Sequence, residues 1–417
     1  MNKKKDDYQI VQPSWIKIAA ITPYWLYKDY VSLVKNYIFT KNDKKVKSRI
    51  INKIKKINNI DLDYSYFVDS GSSAIFFALI SLGINKGDKV VIPSFTCRAV
   101  LFALLEAKVK PIFADIDEDY NLDLESLSLV NDLEDIKAVV LPNMYGKINR
   151  NYKLIGKLKR KGIMFIEDNA TSFGSYYDDE ILSDAIIYSF NIGKMINGSG
   201  GGVVFIKNEV NLSVFNNFRD STKTEVLIRF LRDLIIIRYR KRLSYIKKII
   251  KKNDTPQSNL DELYSLKDLK KQETQKYLNC KNISLLNLLL IDSQLKGFCK
   301  MRQLYDSLMQ SYNFHFKLTN RLNKNELPNY FLLELSHKLN RYELGNYLSN
   351  RGVECFWSYF PIHKIKLYKD IEKINDLVIT EKKWNNFLYL PFNLFVTESD
   401  VKYIYQCCKE FIETHEK

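Results

Sequence analysis

The sequence predicts an α/β protein, with a large domain built on a mostly parallel sheet flanked by helices and a smaller α+β domain at the C-terminus. Three observations predict it. Short runs rich in β-branched and aromatic residues alternate with helix-length apolar stretches between about residues 62 and 208. Polar residues able to do chemistry follow three of those runs directly, at the strand ends where open parallel sheets receive their ligands. Beyond residue 282 a helix-rich stretch gives way to a segment that mixes strand and helix patterns.

In chain order the strand candidates are residues 66–68, 90–92, 111–114, 138–141, 164–166, 185–190 and 203–206, all short apolar runs suited to a buried strand. Between them, SAIFFALISL (73–82) and RAVLFALLEA (98–107) are helical candidates. Residues 223–252 (KTEVLIRFLRDLIIIRYRKRLSYIKKIIKK) then interrupt the alternation with a long helical candidate, closed by the polar breaker NDTPQSN at 253–259. Helices are expected again over 282–309. The resulting division is a basic N-terminal helical arm (1–60), a large domain (61–222), a basic amphipathic helical insertion (223–262), connecting helices (263–309) and a small C-terminal domain (310–417).

Composition narrows the class. At 417 residues and 46% hydrophobic the chain can bury a large core, and with 15 Gly and 9 Pro it is neither collagen-like nor linker-dominated. The net charge of +16 is concentrated. Residues 1–56 hold 14 Lys/Arg against 4 Asp, and residues 223–252 hold 11 against 2 acids, which leaves a slightly acidic body. Six cysteines without a CxxC pair and four histidines without HExxH lead to the expectation of no metal site and a reducing cytoplasm. MNKKKDDYQI lacks the apolar core of a signal peptide, and no run reaches the roughly 18 apolar residues of a membrane span.

Three constellations could carry chemistry. Asp69-Ser70-Gly71-Ser72-Ser73 closes a strand and opens a helix, so backbone N–H groups, the helix dipole and hydroxyls converge as in a phosphate cradle, although an ordinary Ser helix cap gives the same pattern. Glu167-Asp168-Asn169 sets at least one carboxylate at the ligand edge, for a metal, a ribose or a protonated ring nitrogen, or simply as a turn cap. Ser189-Phe190-Asn191-Ile192-Gly193-Lys194 runs into Gly198-Ser199-Gly200-Gly201-Gly202, whose backbone can pass close to a ligand or another chain. Lys194 precedes the glycines, so this is no P-loop, and Val203 breaks a dinucleotide fingerprint. The lysine suits phosphate binding or Schiff-base chemistry.

Cradle, then Asp, then Lys is the order in which pyridoxal 5'-phosphate (PLP) enzymes of fold type I present their cofactor groups. Beyond that order, the sequence resembles the DegT/DnrJ/EryC1/StrS family of PLP-dependent aminotransferases through most of its length. SGSSAIFFALISLGINKGDKVVIPSFT, KVKPIFADIDEDYNLDLESL, AVVLPNMYG, IEDNATSFGS, SFNIGKMINGSGGGVVF, YFPIH and LYLPFNLFVTESDVKYI are each similar to a block of that family. The resemblance implies the fold type I architecture, PLP as cofactor, and transfer of an amino group, from glutamate, to a nucleotide- or lipid-linked keto-sugar in amino-sugar or surface-polysaccharide biosynthesis. It makes Lys194 the Schiff-base lysine and Asp168 the partner of the pyridine nitrogen. Gly71, Ser72, Ser73 and Ser189 fall around the phosphate, with Cys97, Thr171 and Asn191 completing the cofactor site. A cytoplasmic homodimer with active sites at the subunit interface is also implied. Three positions depart from the family pattern: Cys97 stands where an aromatic ring stacks on the cofactor, Thr171 replaces a Gln and Gly200 an acid. They leave as an alternative a non-catalytic or differently reacting relative at a membrane surface.

Residues 223–252 fall outside the family's compact core. Val226, Leu227, Phe230, Leu231, Leu234, Ile235, Tyr239, Leu243, Ile246 and Ile250 keep helical spacing with basic residues between them, the composition of a helix lying on an anionic membrane. A basic helix packed on the body, or a dimer contact, would read alike. No nucleic-acid-binding motif is present, and the expectation is a peripheral contact with the inner face of the membrane and no nucleic acid partner.

Overall fold

The computed structural model describes residues 16–20, 33, 37, 43–129, 135–178, 180–210, 218–222, 224–233, 276–317, 325–336, 339–356 and 359–415. All seven expected strands form: β1 (Tyr64–Val68), β2 (Lys89–Pro93), β3 (Lys110–Ala114), β4 (Ile136–Pro142), β5 (Met164–Asp168), β6 (Ala185–Ser189) and β7 (Gly202–Ile206). They make one sheet in the order β1-β7-β6-β5-β4-β2-β3. The pairs from β6 to β3 are parallel, and β7 alone runs against the rest, antiparallel to both β1 and β6.

Alternate residues of each strand feed opposite faces. Val90 and Ile92 join the cluster beneath α2 (Gly71–Ser81) and α3 (Arg98–Glu106), whereas Val91, Val139 and Phe165 face α4 (Leu124–Ser128) and α5 (Tyr152–Arg160). Helix α2 is apolar nearly all round, with Ala74, Ile75, Phe77, Ala78 and Leu79 buried, because it lies in the crease above β6 and β7. Helix α5 has the opposite design, burying Ile155 and Leu158 while Lys157, Lys159 and Arg160 crowd its last turn, where cations offset the helix dipole.

At the N-terminal side, α1 (Asp43–Asn58) buries Val46, Ile50 and Ile54, one stripe at four-residue spacing. The stripe rests on α6 (Leu285–Lys296), whose buried Asp292 takes Arg49 at 3.0 Å and Lys53 at 2.9 Å. Helix α7 (Phe298–Phe316) follows after the single residue Gly297, so the expected division at 309/310 falls inside a helix.

The C-terminal part contains α8 (Arg341–Asn350), α9 (Val378–Asn385), α10 (Glu398–His415) and a two-stranded antiparallel sheet of β8 (Phe331–Glu334) and β9 (Phe387–Leu390). It is stitched to the large sheet. Phe113 of edge strand β3 donates its N–H to Glu372 O and accepts from Ile374 N–H, both at 2.8 Å, which covers the edge. Asp115 accepts the first-turn N–H groups of Ile379 and Thr380 at 2.8 Å, capping α9 from a distance.

Of the basic insertion, residues 224–233 are helical, with Phe230 and Asp233 buried and Leu227, Ile228 and Leu231 exposed. Residues 234–262, and 1–15 and 21–32 of the expected N-terminal arm, lie outside the described residues. Among the described residues no helix is long and apolar enough to cross a membrane.

Candidate active site

The turn from β1 into α2 is built by its own hydroxyls and by one missing side chain. Ser70 holds extended backbone (φ −160°) and its Oγ accepts Ser73 N–H at 3.2 Å, leaving other first-turn N–H groups of an eleven-residue helix without an intrahelical acceptor. A Cβ on Gly71 would lie 2.7 Å from Ser189 Cβ, so only glycine lets the end of β6 approach this closely. Ser72 and Ser189 then present hydroxyls to one cleft. Ser73 turns away from it, donating to Asp69 Oδ1 at 2.7 Å. Burial pushes the Asp69 carboxyl up, against the pull of Ser73 and of Lys281 N–H.

The glycine run packs against this turn. Gly201 donates its N–H to Asp69 O at 2.6 Å, and a Cβ on Gly202 would stand 2.4 Å from Ser70 O. Gly200 and Gly201 take φ of +126° and +114°, open to glycine alone at little cost. The run therefore clamps β7 onto the cradle.

At the end of β5 the strand pleat separates two carboxylates. Glu167 points into the protein and is bonded by Asn143 Nδ2 and Tyr177 OH, each at 2.7 Å, and by Ser183 Oγ. Burial raises its pKa, with those three donors opposing. Asp168 faces the cleft, its Oδ1 accepting Ala170 N–H at 2.9 Å. Burial raises its pKa too, while the Ala170 bond and the charge of Lys194 pull it down. Lys194 reaches the same cleft from the loop after β6, in a turn where Lys194 N–H bonds Asn191 O at 3.1 Å and Gly193 takes φ +84°.

The cleft has a volume of about 150 Å3 and brings together Gly71, Ser72, Cys97, Asp168, Thr171, Ser189, Asn191 and Lys194, eight of the nine residues expected there. Ser73 lies instead in a neighbouring opening of about 710 Å3, which shares Ser70, Ser72 and Asn191 with the cleft and carries Arg229, Arg232 and Lys276. Thr171 lines the cleft with its hydroxyl donated to Asn143 O at 2.9 Å, and Cys97 stands at the N-terminus of α3 without a side-chain capping bond. Thr96, Met144 and Tyr359 line the cleft as well, unforeseen by the motif reading, although Tyr359 sits in the quoted YFPIH block.

Hydroxyls beside a helix N-terminus, a buried carboxylate and an amine in one cleft fit a ligand that carries a phosphate, a protonated nitrogen and a carbon that an amine can attack. Comparison with known proteins agrees. Residues 58–230 and 282–409 match the profile of the DegT/DnrJ/EryC1/StrS aminotransferase family. Over 148 residues the chain is 31% identical to a pleiotropic regulatory protein of Geobacillus stearothermophilus, covering 34% of this chain and 40% of that protein. It is 30% identical over 162 residues to GDP-perosamine synthase of Escherichia coli O157:H7, covering 37% and 42%. These matches span less than half the length of either relative. The structure superposes on Helicobacter pylori PseC, an aminotransferase of pseudoaminic acid biosynthesis, with a TM-score of 0.71, 17% identity, and coverage of 95% of this chain and 99% of that one, a likeness of fold.

Proposed function

The chain belongs to the DegT/DnrJ/EryC1/StrS aminotransferase family, and from that premise we propose that it is a PLP-dependent aminotransferase acting on a keto-sugar. Glutamate gives up its amino group and leaves as 2-oxoglutarate, and the sugar carbonyl becomes an amine. The observation that carries the reading is that Ser72, Ser189, Asp168 and Lys194 all line one cleft.

Bound in the cleft, PLP supplies an electron sink that stabilises negative charge on a carbon losing its proton. The Ser72 and Ser189 hydroxyls and the first-turn N–H groups of α2 hold the phosphate. The Asp168 carboxylate, costly to keep ionised in its buried position, gains an opposite charge when it faces a protonated ring nitrogen, and holds that proton in place. Lys194 Nζ anchors the cofactor and, when free, takes the proton from the substrate carbon. Arg229, Arg232 and Lys276 in the adjoining opening suit a sugar whose carrier, nucleotide or lipid, brings a diphosphate.

The chain acts as a homodimer in the cytoplasm, at the inner face of the membrane. The exposed Leu227, Ile228 and Leu231 on the helical residues 224–233, at the start of the basic stretch, support contact with an anionic surface.

The decisive experiment is chemical. PLP added to the purified protein is expected to give a visible absorbance that borohydride bleaches while fixing the label to the peptide containing Lys194, and Lys194→Ala is expected to lose both label and glutamate-dependent transfer. A Lys194→Ala protein that still takes the label and still turns over would overturn these roles.

A further inference from the structure

Among the described residues that line the cleft, Tyr359 is the one with an aromatic side chain, and it comes from the C-terminal part of the chain rather than from the large sheet. Its ring packs edge-on against Phe95 with centroids 6.2 Å apart at 75°. Phe95, fully buried, is wedged in turn against Phe387 at 5.8 Å. Burial first, and then the neighbouring Cys97, Tyr330, Tyr145 and Asp168, push the Tyr359 phenol well above its usual pKa, so the ring stays neutral.

Four residues on, His363 sits in a chain of side chains that joins the two loops concerned. Its Nδ1 lies 2.6 Å from Ser94 Oγ and its Nε2 2.7 Å from Glu381 Oε1. A carboxylate only accepts, so Nε2 carries the proton, and Nδ1 accepts from the Ser94 hydroxyl. Ser94 Oγ in turn accepts His363 N–H at 3.2 Å, and Ser94 O accepts Ile362 N–H at 2.9 Å. Glu381 Oε2 is held by Lys364 at 2.7 Å. Ser94 follows β2 directly and precedes Phe95, Thr96 and Cys97. One end of the chain, Ser94, therefore belongs to the loop that carries Cys97, its middle, His363, to the segment that carries Tyr359, and its other end, Glu381, to α9.

We propose that Tyr359 is the face against which a planar, electron-poor ligand ring rests in the cleft, and that Ser94, His363 and Glu381 form a positioning chain that sets how far Tyr359 reaches toward it. The inference rests on the cofactor reading above. The other larger apolar side chains of the cleft, Ile75, Val100, Met144 and Ile192, are not aromatic, and an electron-rich phenol is the group there that gains most from an electron-poor ring. Cys97, at the mouth of α3, is too small to do so and leaves the space that Tyr359 faces. His363 does not line the cleft and acts through Tyr359.

The full-length protein is titrated with PLP, following the visible absorbance and its induced circular dichroism. Tyr359→Leu is expected to raise the apparent Kd about tenfold and to weaken the dichroism, whereas Tyr359→Phe keeps the ring and stays within about twofold of the wild type. His363→Asn should weaken the dichroism in the same sense and add little when combined with Tyr359→Leu, since both act on one contact. Glu381→Ala, at the half-exposed end of the chain, provides the same test if His363→Asn does not fold. Wild-type Kd and dichroism in Tyr359→Leu would overturn the aromatic wall. Wild-type values in His363→Asn and Glu381→Ala, or effects that simply add to Tyr359→Leu, would overturn the positioning chain. A wild-type protein with no visible absorbance would overturn the functional reading and this inference with it, while a normal wild-type band unchanged in every variant overturns this inference alone.

Discussion

A hydrogen atom in place of a methyl group lets the end of β6 close on the start of α2. A Cβ at position 71 would meet Ser189 Cβ at 2.7 Å and Oγ at 3.0 Å, so Gly71→Ala must push β6 or the α2 N-terminus aside. It is expected to raise the apparent Kd for PLP at least about tenfold and to cost roughly 1–3 kcal/mol of stability, read by titration and thermal unfolding. An alanine variant with wild-type affinity would mean that the cradle does not depend on this approach. Residue types carried much of the site. A hydroxyl cradle, a strand-end Asp and a lysine beside glycines could be recognised from chain order, but not which way each side chain turns. Ser73 faces Asp69 and Ser72 the cleft because the first turn of a helix points successive side chains about 100° apart, a matter of where the helix starts. Tyr359 reaches the cleft from the far part of the chain, and no local pattern announces such a contact.

At the scale of elements, apolar periodicity located every strand of the large sheet but carries no direction for any one of them. An apolar run has no sense of its own; the sense comes from the connection. Residues 190–201 hold no helix, too little for a parallel crossover, and β7 accordingly returns beside β6 antiparallel. The pairing of α1 with α6 was not legible either, because it joins segments that are remote in sequence. There Asp292, with its side chain 3% exposed, is pushed up by burial, yet the bonds from Lys53 and Arg49 outweigh this and hold its carboxyl below the usual value. A depressed acid binds its proton less tightly when folded, so its contribution is present at neutral pH and is lost as pH falls below about 4. Asp292→Asn is expected to cost about 1 kcal/mol at pH 7, since Arg49 is half exposed, and less near pH 3; denaturant titrations at both values check it. An equal cost at both would exclude the ionic origin.

For the molecule as a whole, the charge distribution and the fold answer different questions. The acidic body holds the cleft, and the basic stretches lie apart from it in sequence. In sedimentation the full-length chain alone is expected to run as a homodimer, and in the presence of phosphatidylglycerol vesicles to pellet with them. Leu227→Glu with Ile228→Glu should abolish pelleting without touching PLP binding, because both side chains are exposed. Pelleting unchanged in that variant, or absent in the wild type, would remove the membrane from the picture. The C-terminal part was expected as a separate small domain, and its ties to β3, to Asp115 and to Ser94 are side-chain and edge contacts that composition does not reveal.

The reversed strand has one more consequence. Val68, Gly202 and Ser189 stand opposite one another in a single row across β1, β7 and β6. The spacing between the two halves of the cradle is thus counted by strand register, as on a ruler marked every ~3.4 Å. It cannot drift by small amounts; one residue gained or lost within β6 would shift the row by a whole step and turn Ser189 to the other face. Substitutions can tune this cleft, but insertions can only break it or move it to the next mark.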